Sequence, residues 1–455
     1  MINPYIFREY DIRGVVKDDF SSEVVVSLGK SFGTCVKRLG GNDIALSGDI
    51  RDTTPRLMKK FMEGLLQVGI NVHDMGIATT PANYFSMFHL KVDGSVQITG
   101  SHNPSEFNGF KLSFNKAAFY GKQIQEMKRI IQDDDYEFGQ GKVEKVDIMS
   151  PYHLMLRSKI KLEKSLKAVI DCGNAAACLS APEIFPSLGI ETHELFSTID
   201  ASFPNHHPDP TEDHNLIDLI KEVKSGSYDF GVAFDGDADR VVAVDEKGGI
   251  IRSDILICLF LPEIIKKSGT PIVFDVKCSQ ALEDMIIQHG GKPIMWKTGH
   301  SLIKDKMKEL DVLFGGEMSG HIFFSDDYYG FDDAIYVALR LAQLLSRTNQ
   351  TLSSLVEKIP IYHSTPEIRL ECKNDEEKFM IAKKSFNYFN DNYDCITVDG
   401  VRIKYEDGWG LIRASNTQPV IVCRFEATTL DRMEDIKLEI INKLSEFGQL
   451  SIGNI

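Results

Sequence analysis

Helix and strand patterns alternate along most of this chain, and that alternation limits the folds open to it. Apolar residues recur at helical spacing from Val25 to Leu39 until Gly40, and Ile44–Leu46 follows as a strand. A helix capped by Thr54-Pro55 and a strand at Ser95–Ile98 continue the pattern. It predicts a parallel sheet covered by helices, in which ligands bind at the carboxyl ends of the strands.

The same order of helix and strand occurs three times, which predicts one architecture used three times. A chain of 455 residues is too long for one hydrophobic core. The predicted fold class is α/β: three similar mixed α/β domains with layered sheets and a smaller α+β C-terminal domain, with the active site in a central cleft. The predicted boundaries are 1–149, 150–249, 250–361 and 362–455.

Charge and apolar runs exclude several classes of partner. The formal net charge is −15 and the chain has no long Lys/Arg run, so we expect no nucleic-acid partner. The apolar run Ile255–Leu261 is too short to span a bilayer, so we expect no membrane partner. The first residues lack the features of a signal peptide, which predicts a cytoplasmic protein. The eight scattered cysteines are expected to be reduced and mostly buried thiols.

Gln97–Pro104 places a serine at the end of a predicted strand. The chain must turn at Gly100 and Ser101 before Asn103–Pro104 ends regular structure. We expect Ser101 to lie exposed on this turn, where the glycine permits close approach by a bulky anion. Taken alone, such a stretch is more often a structural loop than a site.

The segment 235–240 carries three acids at alternate positions between two apolar strands. A tight loop lets Asp235, Asp237 and Asp239 converge, and their oxygens suit Mg²⁺. An EF-hand is the competing metal site, but Arg240 stands where its glycine is required and strands flank the loop. A merely acidic surface turn is the remaining alternative.

Further polar loops follow other predicted strands. Glu317, Ser319 and His321 offer an acceptor, a hydroxyl and an imidazole suited to sugar hydroxyls. The arginine, hydroxyl and amide groups of another loop suit a phosphate: Arg413, Ser415, Asn416 and Thr417, with Arg424 on the next strand as a further cation or only an ion-pair partner. This last segment is patterned separately and is expected to move as a lid. His206 and His207 lie on a proline-rich connector, which favours a loop over a metal site.

Together, an exposed serine, a metal loop, a hydroxyl-binding loop and a phosphate cradle predict phosphoryl chemistry on a small polar substrate. The metal ion and the positioned cations would neutralise the oxygens of the transferred group.

Four motifs in order resemble the α-D-phosphohexomutase superfamily: 99–104 (TGSHNP), 235–240 (DGDADR), 316–321 (GEMSGH) and 413–419 (RASNTQP). Segments 7–14, 275–278 and 298–300 extend the resemblance over essentially the whole chain. The Glu317-Met318-Ser319 form is similar to the bacterial phosphomannomutase/phosphoglucomutase branch, whereas phosphoglucosamine mutases more often carry glutamine where Met318 stands. One departure is Ala238, where the family usually has glycine.

The resemblance implies that Ser101 carries a phosphoryl group and completes a site for one Mg²⁺ per chain with Asp235, Asp237 and Asp239. The serine would phosphorylate a hexose phosphate, and the resulting 1,6-bisphosphosugar would turn and return its other phosphate. Glu317 and Ser319 would hold sugar O3 and O4. Because these contacts would not involve O2, where mannose and glucose differ, both sugars would be accepted. The non-reacting phosphate would lie on Arg413, Ser415, Asn416 and Thr417.

Further implied roles concern proton transfer, the activator and the partners. Lys111 and His321 are the candidates for proton transfer, and further site residues are expected around them: Tyr10, Arg13, His102, Arg240, Lys277, His300 and Arg424. Glucose 1,6-bisphosphate or mannose 1,6-bisphosphate would be the activator. The partners would be small-molecule hexose phosphates, and the chain would be a monomer or weak dimer.

Other functions stay open at this point. A phosphoglucosamine mutase is the nearest alternative, followed by a metal-dependent sugar-phosphate phosphatase and a non-catalytic sugar-phosphate binding protein. A Ser-His-Asp hydrolase is poorly supported, since Ser101 lacks a Gly-x-Ser-x-Gly turn and its direct neighbour His102 is badly placed as a base.

Overall fold

The computed structural model describes residues 2–415 and 419–452. The chain divides into two compact units. One contains the residues up to Ser253 together with Ser319–Leu355, and the other contains Asp254–Met318 together with the residues from Val356 onward. Among the described helices, none combines the length and the apolar character needed to cross a membrane.

The first unit begins with a sheet covered by helices. Its helices are α1 (Val16–Asp19), α2 (Ser22–Arg38), α3 (Thr54–Gln67), α4 (Thr80–His89) and α5 (Lys122–Gln132), after a 3-10 turn at Pro4–Ile6. Its strands are β1 (Ile12–Val15), β2 (Asp43–Gly48), β3 (Asn71–Ile77), β4 (Gly94–Ile98), β5 (Phe107–Phe114), β6 (Ala117–Ala118) and β7 (Val143–Lys145). The strand order is β1-β5-β4-β2-β3-β7, with β6 beside β5.

This first sheet is mixed, so the prediction of a parallel sheet is wrong for part of it. Strand β2 pairs in parallel with β3 and β4, whereas β5 runs antiparallel to both β4 and β1. The reason is the connection: β4 and β5 are joined by the short loop 99–106, and a parallel pair needs a crossover of a dozen or more residues.

A cluster of aromatic rings fills the core between α2, α3 and this sheet. Phe61 is fully buried, stacks on Phe110 with ring centroids 5.1 Å apart, and lies 6.3 Å from Phe32. Phe20 meets Phe110 edge-on at 5.4 Å. Since β5 carries Phe110 and also Lys111, this packing fixes the strand from which Lys111 extends.

A second sheet follows in the same unit. Its helices are α6 (Met149–Lys159), α7 (Ala181–Ser187) and α8 (Ile217–Ser225), with 3-10 turns at Ala176–Leu179 and Asp213–Leu216. Its strands are β8 (Leu166–Asp171), β9 (Ile190–Leu195), β10 (Phe230–Phe234), β11 (Val241–Asp245) and β12 (Ile250–Ile251), in the order β12-β11-β10-β8-β9. Strands β10 and β11 are fully buried, form an antiparallel pair and enclose the loop 235–240.

The third segment repeats the α/β pattern. It contains α9 (Ser253–Ile264), β13 (Pro271–Asp275), α10 (Gln280–Gln288), β14 (Lys292–Trp296), α11 (His300–Leu310), β15 (Phe314–Gly316), β16 (Ile322–Phe324), α12 (Ala334–Ser346) and α13 (Leu352–Val356). In the second unit, β13 pairs in parallel with both β14 and β15.

The last segment is a largely antiparallel sheet with two long helices, all within the second unit. The helices are α14 (Asp375–Asn392) and α15 (Leu430–Ser445). The strands are β17 (His363–Ser364), β18 (Ile368–Glu371), β19 (Cys395–Ile396), β20 (Val401–Lys404), β21 (Gly408–Ala414), β22 (Val420–Ala427) and β23 (Ser451–Ile452). Three similar α/β domains followed by a different C-terminal domain are therefore confirmed as the architecture.

Two helix ends differ from the sequence predictions, and the thiols agree with them. Helix α3 does include Thr54, but Thr53 occupies the N-cap position. Leu39, predicted on the apolar face of α2, lies at the C-cap and is exposed. The eight cysteines are free thiols, six of them buried.

Truncation of the central ring of the aromatic core is expected to destabilise the first sheet. Phe61→Ala should lower its free energy of unfolding by about 3–5 kcal/mol, because the change removes buried surface and leaves a cavity. Native-state hydrogen exchange of the slowest β5 amides measures the loss. Phe138→Ala is the matched control, since that ring is 84% exposed, and it should leave exchange unchanged. Equal effects of the two substitutions would contradict the assignment of Phe61 to the core.

Candidate active site

Ser101 lies in the loop after β4, on the first unit. The serine is 1% exposed, so the prediction of an exposed side chain is wrong. Its Oγ donates to Asp235 Oδ2 at 2.9 Å and lies 3.2 Å from His102 Nδ1. Its φ of 48° is left-handed, a conformation that L-residues adopt at a cost. The turn therefore points the hydroxyl inward, at the aspartate loop.

Asp49, at the carboxyl end of β2, supports the start of this loop. Its Oδ2 accepts from the Thr99 hydroxyl at 2.9 Å and from Gly100 N at 3.0 Å. The Thr99 hydroxyl in turn accepts from Ser101 N at 2.8 Å. Because β2 and β4 are parallel neighbours, both loops emerge at the same edge of the sheet.

The loop between β10 and β11 brings three carboxylates together, as predicted. Asp235, Asp237 and Asp239 are fully buried, and each offers an oxygen within 4.8 Å of the others. Asp235 Oδ1 accepts from the backbone N–H of Asp239 at 3.0 Å and of Arg240 at 3.1 Å. Ala238 has a φ of 65°, which lets the chain turn between the second and third acids.

Lys111 provides the direct counter-charge to this cluster. Its Nζ lies 2.6 Å from Asp237 Oδ2 and 2.5 Å from Asp239 Oδ2. Thr80 adds a hydroxyl donor to Asp237 Oδ2 at 2.6 Å. Burial disfavours a charged ammonium, but the two carboxylates outweigh it and raise the pKa of Lys111. Lys111 is therefore a protonated ammonium beside the cluster at pH 7.

The pKa values of Asp235 and Asp237 are shifted in opposite directions. Burial, followed by the repulsion of Asp237 and Asp239, raises the pKa of Asp235 well above its usual range. Burial also disfavours the charged form of Asp237, but the Lys111 ammonium lowers its pKa below the usual range. The cluster is thus short of positive charge on the side of Asp235.

The cluster fits a hard divalent cation. Within the described part of the chain, Asp237 Oδ1 and Asp239 Oδ1 are buried and accept no hydrogen bond. Buried carboxylate oxygens without donors are costly, and oxygen atoms are the ligands that Mg²⁺ prefers. Asp235, Asp237 and Asp239 can therefore hold a metal ion next to the Ser101 hydroxyl.

Arg240 and His321 form a second polar group beside the cluster. Arg240 Nε donates to His321 Nε2 at 3.0 Å. His321 Nδ1 lies 3.0 Å from Asp332 Oδ2 and 3.5 Å from Asp239 Oδ1. A ring nitrogen that accepts from arginine leaves the proton on the other nitrogen, Nδ1, which is the atom near the two acids. His321 is thus held between a cation and two acids.

The remaining predicted residues of the first unit are less buried than the three aspartates. Arg13, on β1, bonds Asp11 Oδ2 at 2.6 Å and Asn103 Oδ1 at 3.3 Å. Burial and the neighbouring arginines lower the pKa of His102 well below its usual range, so its ring is neutral at pH 7. Tyr10 and Ser319 are half-buried.

In the second unit, Lys277 follows β13 and is held at both ends. Its Nζ lies 3.2 Å from Glu367 Oε1, and the ammonium lowers the pKa of that carboxyl. Its carbonyl accepts from Arg424 Nη1, which gives this arginine a structural partner in addition to any ligand. Arg402 Nη1 donates to the carbonyls of Val276 at 2.7 Å and Cys278 at 2.9 Å.

The loop carrying Glu317 is tied to the start of α11. Glu317 is 2% exposed, and its Oε1 accepts from Gly299 N at 2.5 Å, directly before His300. Asp275 links the two loops, since its Oδ2 accepts from the Thr298 hydroxyl at 2.9 Å and its Oδ1 from Met318 N at 3.1 Å. Glu317 and His300 are thus positioned by one network.

Arg413 and Ser415 lie at the end of β21, both buried. Asp399 Oδ2 accepts from Arg413 Nε at 3.1 Å and from Thr298 N at 3.1 Å, so it orients the arginine. Ser415 O accepts from Lys378 Nζ at 2.9 Å. The predicted phosphate ligands Asn416 and Thr417 lie outside the described residues.

The two histidines of the proline-rich connector make structural contacts. His206 Nε2 lies 2.9 Å from Asp171 Oδ2. Burial disfavours its charge, but the bond to Asp171 prevails and raises the pKa of His206. His207 Nε2 donates to the carbonyl of His102, so the connector contacts the serine loop.

Sequence reasoning missed several residues that position the site: Asp49, Arg51, Thr80, Asp332, Glu367, Asp399 and Arg402. For Asp49 and Arg51 a signal existed, because they follow a strand at its carboxyl end. Thr80 and Asp332 reach the site through the tertiary fold from helix N-termini, where polar residues are ordinarily caps.

Family models match in sequence along the chain. Phosphoglucomutase/phosphomannomutase alpha/beta/alpha domains I, II and III match residues 4–137, 150–249 and 252–362. The phosphoglucomutase/phosphomannomutase C-terminal domain matches residues 367–443. Together these matches cover most of the chain.

Similar proteins share nearly its whole length. A phosphomannomutase/phosphoglucomutase of Pseudomonas putida is 44% identical over 438 residues, which is 95% of this chain and 94% of the relative. A phosphoglucomutase of Neisseria gonorrhoeae is 38% identical and covers 95% of each chain. A crystal structure of a phosphoglucomutase/phosphomannomutase family protein from Burkholderia thailandensis has a TM-score of 0.93 and 39% identity, covering 99% of this chain and 100% of that chain.

Removal of one acid from the cluster is expected to abolish metal stabilisation. After chelation, Mg²⁺ at about 100 times its Kd should stabilise the wild type by about 2.7 kcal/mol, because it binds the folded state. Asp239→Asn should remove this gain, measured as the shift of the thermal midpoint. Asp218→Asn changes the same charge at an exposed position of α8 and should keep the shift. A full shift in Asp239→Asn would contradict the site.

Proposed function

The chain belongs to the phosphoglucomutase/phosphomannomutase family, and on that premise we propose that it interconverts the 1- and 6-phosphates of mannose and glucose with Ser101 as the phosphoryl carrier. It is an intramolecular phosphotransferase, an isomerase of the phosphohexomutase type. The serine-carried phosphoryl group and the 1,6-bisphosphosugar intermediate are the mechanism of this family.

The contact between the serine and the aspartate loop is the observation that carries the assignment of Ser101. Its Oγ bonds Asp235 at 2.9 Å, and Asp235 belongs to the cluster that Lys111 neutralises in part. A phosphoryl group on this oxygen would lie beside both the cation-binding oxygens and the lysine ammonium. Charge on its oxygens is therefore stabilised where it develops during transfer.

In the first half-reaction, the free hydroxyl of a hexose phosphate attacks the phosphorus carried on Ser101. The new P–O bond to the sugar forms as the P–O bond to the serine breaks. The hydroxyl proton passes to a base in the site, and Ser101 Oγ regains a proton, so that charge balances. The product is a 1,6-bisphosphosugar and an unmodified serine.

The second half-reaction reverses these steps at the other end of the sugar. After the bisphosphate turns, Ser101 Oγ attacks the second phosphorus, and the sugar oxygen leaves with a proton. The serine is again phosphorylated, so there is no net loss of phosphate to water. A phosphatase would instead release inorganic phosphate at each turn.

Asp235, Asp237 and Asp239, with an oxygen of the phosphorylated Ser101, are the proposed holders of one Mg²⁺ per chain. When bound, this ion supplies Lewis-acid stabilisation of the phosphoryl oxygens. Lys111 and His321 are the proposed proton-transfer groups, and both stand beside the cluster. Arg13, His102 and Arg240 are proposed to help to hold the transferring group.

Further residues are proposed to bind the sugar and the phosphate that does not react. Glu317, fixed through Gly299, and Ser319 would accept from sugar O3 and O4. Arg413, oriented by Asp399, and Ser415 would bind the phosphate with Asn416 and Thr417. Four residues are proposed as further substrate contacts: Tyr10, Lys277, His300 and Arg424.

The activator, the location, the oligomeric state and the domain boundaries are also proposed. Glucose 1,6-bisphosphate or mannose 1,6-bisphosphate is the proposed activator, because either would phosphorylate an unmodified Ser101. A cytoplasmic location is supported by the eight free thiols. A monomer or weak dimer, acting on small hexose phosphates without nucleic acid or membrane, remains the predicted state. The boundaries at 149/150, 249/250 and 361/362 are retained for the proposed domains.

Loss of the serine hydroxyl is expected to stop turnover. Ser101→Ala should lower kcat by more than about a thousandfold, because no oxygen remains to carry the phosphoryl group. A coupled assay with glucose 1-phosphate measures the rate, and intact mass after incubation with glucose 1,6-bisphosphate measures phosphate uptake. Ser105→Ala, at an exposed position of the same loop, should keep both. Phosphate uptake by Ser101→Ala, or inorganic phosphate released at the mutase rate, would contradict the scheme.

Substrate preference is expected to separate this enzyme from a phosphoglucosamine mutase. Mannose 1-phosphate and glucose 1-phosphate should have kcat/KM values within about tenfold, and glucosamine 6-phosphate should be lower by more than about tenfold, or about 1.4 kcal/mol in transition-state binding. The half-buried Met318 offers no amide to an amino sugar. Met318→Gln should raise the relative kcat/KM for glucosamine 6-phosphate, and Met318→Leu is its control. Preference of the wild type for glucosamine 6-phosphate would contradict the proposed substrates.

A further inference from the structure

Arg51 lies under the serine loop and is 3% exposed. Its guanidinium donates to four backbone carbonyls of that loop. Nη2 reaches Ser101 O at 2.8 Å and Asn103 O at 2.5 Å, while Nη1 reaches Pro104 O at 2.6 Å and Phe107 O at 3.0 Å. One side chain therefore holds the backbone from the serine to the start of β5.

The remaining donor of the guanidinium faces an acid that is itself fixed. Arg51 Nε lies 3.2 Å from Asp49 Oδ2, the atom that also accepts from Thr99 and Gly100. Four carbonyls and one carboxylate match the five N–H donors of an arginine. Asp49 and Arg51 together thus hold both the entry to the serine turn and its exit.

Gly100 leaves room for this arrangement. A Cβ on Gly100 would lie 2.3 Å from Arg51 Cζ and 2.4 Å from its Nε, so any side chain there would displace the guanidinium. On another side, the ring of Phe203 lies 5.5 Å from Cζ. The missing Cβ at Gly100 therefore makes room for the guanidinium of this arginine.

We propose that Arg51 is a positioning residue of the mutase reaction, which sets the backbone of residues 101–107 so that Ser101 Oγ faces Asp235. This proposal rests on the assignment of Ser101 as the phosphoryl carrier. Arg51 acts through backbone carbonyls, and its role is to keep the oxygen in place in both half-reactions.

The backbone of Ser101 explains why such a residue is needed. A φ of 48° at a serine persists only where the surroundings hold it. Arg51 bonds the carbonyl of that same residue, and Asp49 holds the peptide before it. Phosphoryl transfer depends on alignment, and displacement of a reacting atom by about 1 Å costs about a hundredfold in rate.

Lysine in place of Arg51 separates charge from geometry. An ammonium keeps the positive charge, but its donors radiate from one atom and cannot span four carbonyls in a plane. Arg51→Lys should therefore lower kcat by about a hundredfold while the KM for glucose 1-phosphate changes by less than about threefold. The rate of Ser101 phosphorylation by glucose 1,6-bisphosphate should fall in the same proportion.

Arg56→Lys is the matched control. Arg56, on α3, also donates through Nη1 and Nη2 to a backbone carbonyl, that of Phe20, at 3.1 Å. Arg56 is exposed and bonds a single carbonyl, and it does not touch the serine loop. Arg56→Lys should keep kcat within about twofold of wild type.

The outcomes are distinguishable. A kcat of Arg51→Lys within about threefold of Arg56→Lys, or a change confined to KM, overturns the proposal. If Arg51→Lys does not fold, Gly100→Ala decides: a hundredfold lower kcat with little change in KM supports it, and a wild-type kcat overturns it. Wild-type enzyme that takes up no phosphate on Ser101 refutes the proposed carrier instead. In that case, unchanged amide exchange over residues 99–107 in Arg51→Lys would refute the positioning role as well.

Discussion

The repulsion among three fully buried carboxylates is the constraint on which the site depends. Asp235, Asp237 and Asp239 lie in one turn, and burial of unpaired charge is costly. Lys111 places one positive charge between the second and third acids, while a serine hydroxyl and two backbone N–H groups donate to the first. The compensation remains incomplete, since two carboxylate oxygens of the described cluster accept no hydrogen bond. This incompleteness suits the loop to a cation, and a cation bound there would offset the charge of an anionic group on the neighbouring serine oxygen.

Two of the loops that carry predicted site residues are fixed by arginines that bind backbone carbonyls. Arg51 bonds four carbonyls around Ser101 in the first unit. In the second unit, Arg402 bonds the carbonyls on both sides of Lys277, and its guanidinium lies 3.7 Å from the centroid of the Trp409 ring. Burial lowers the pKa of Arg402 to about 10, so it stays charged at pH 7. Loop carbonyls at a strand end lack partners in the sheet, and buried ones need donors. An arginine supplies up to five N–H donors. These donors can fix the backbone of an irregular segment, and with it the side chains, as firmly as a strand would.

The sequence predicts the parts of the site that are formed by neighbouring residues, and not those that depend on residues remote in sequence. The spacing of Asp235, Asp237 and Asp239 predicts convergence because all three lie within one turn, and the structure has them within 4.8 Å. The burial of Ser101 could not be predicted, because the covering Asp235 is remote in sequence. Asp332 likewise meets His321 only after the intervening strand β16 has folded. The antiparallel course of β5 depends on the length of the serine loop, which the alternation of helix and strand does not specify.

The close approach of the serine and aspartate loops requires unusual backbone on both sides. A Cβ on Gly236 would lie 2.1 Å from Ser101 O, so only glycine permits the contact. Left-handed φ values of 48° at Ser101 and 65° at Ala238 flank it, each at a cost of about 1–2 kcal/mol for an L-residue. Glycine at Ala238 would remove its share of this cost but would give the unfolded chain more freedom. Ala238 is instead fully buried and its carbonyl accepts from Ala334 N at 3.2 Å, which fixes the turn between the second and third acids. The methyl group of Ala238 therefore strains the backbone of the folded chain but restricts the conformations open to this turn. That restriction helps to fix the positions of the three carboxylates.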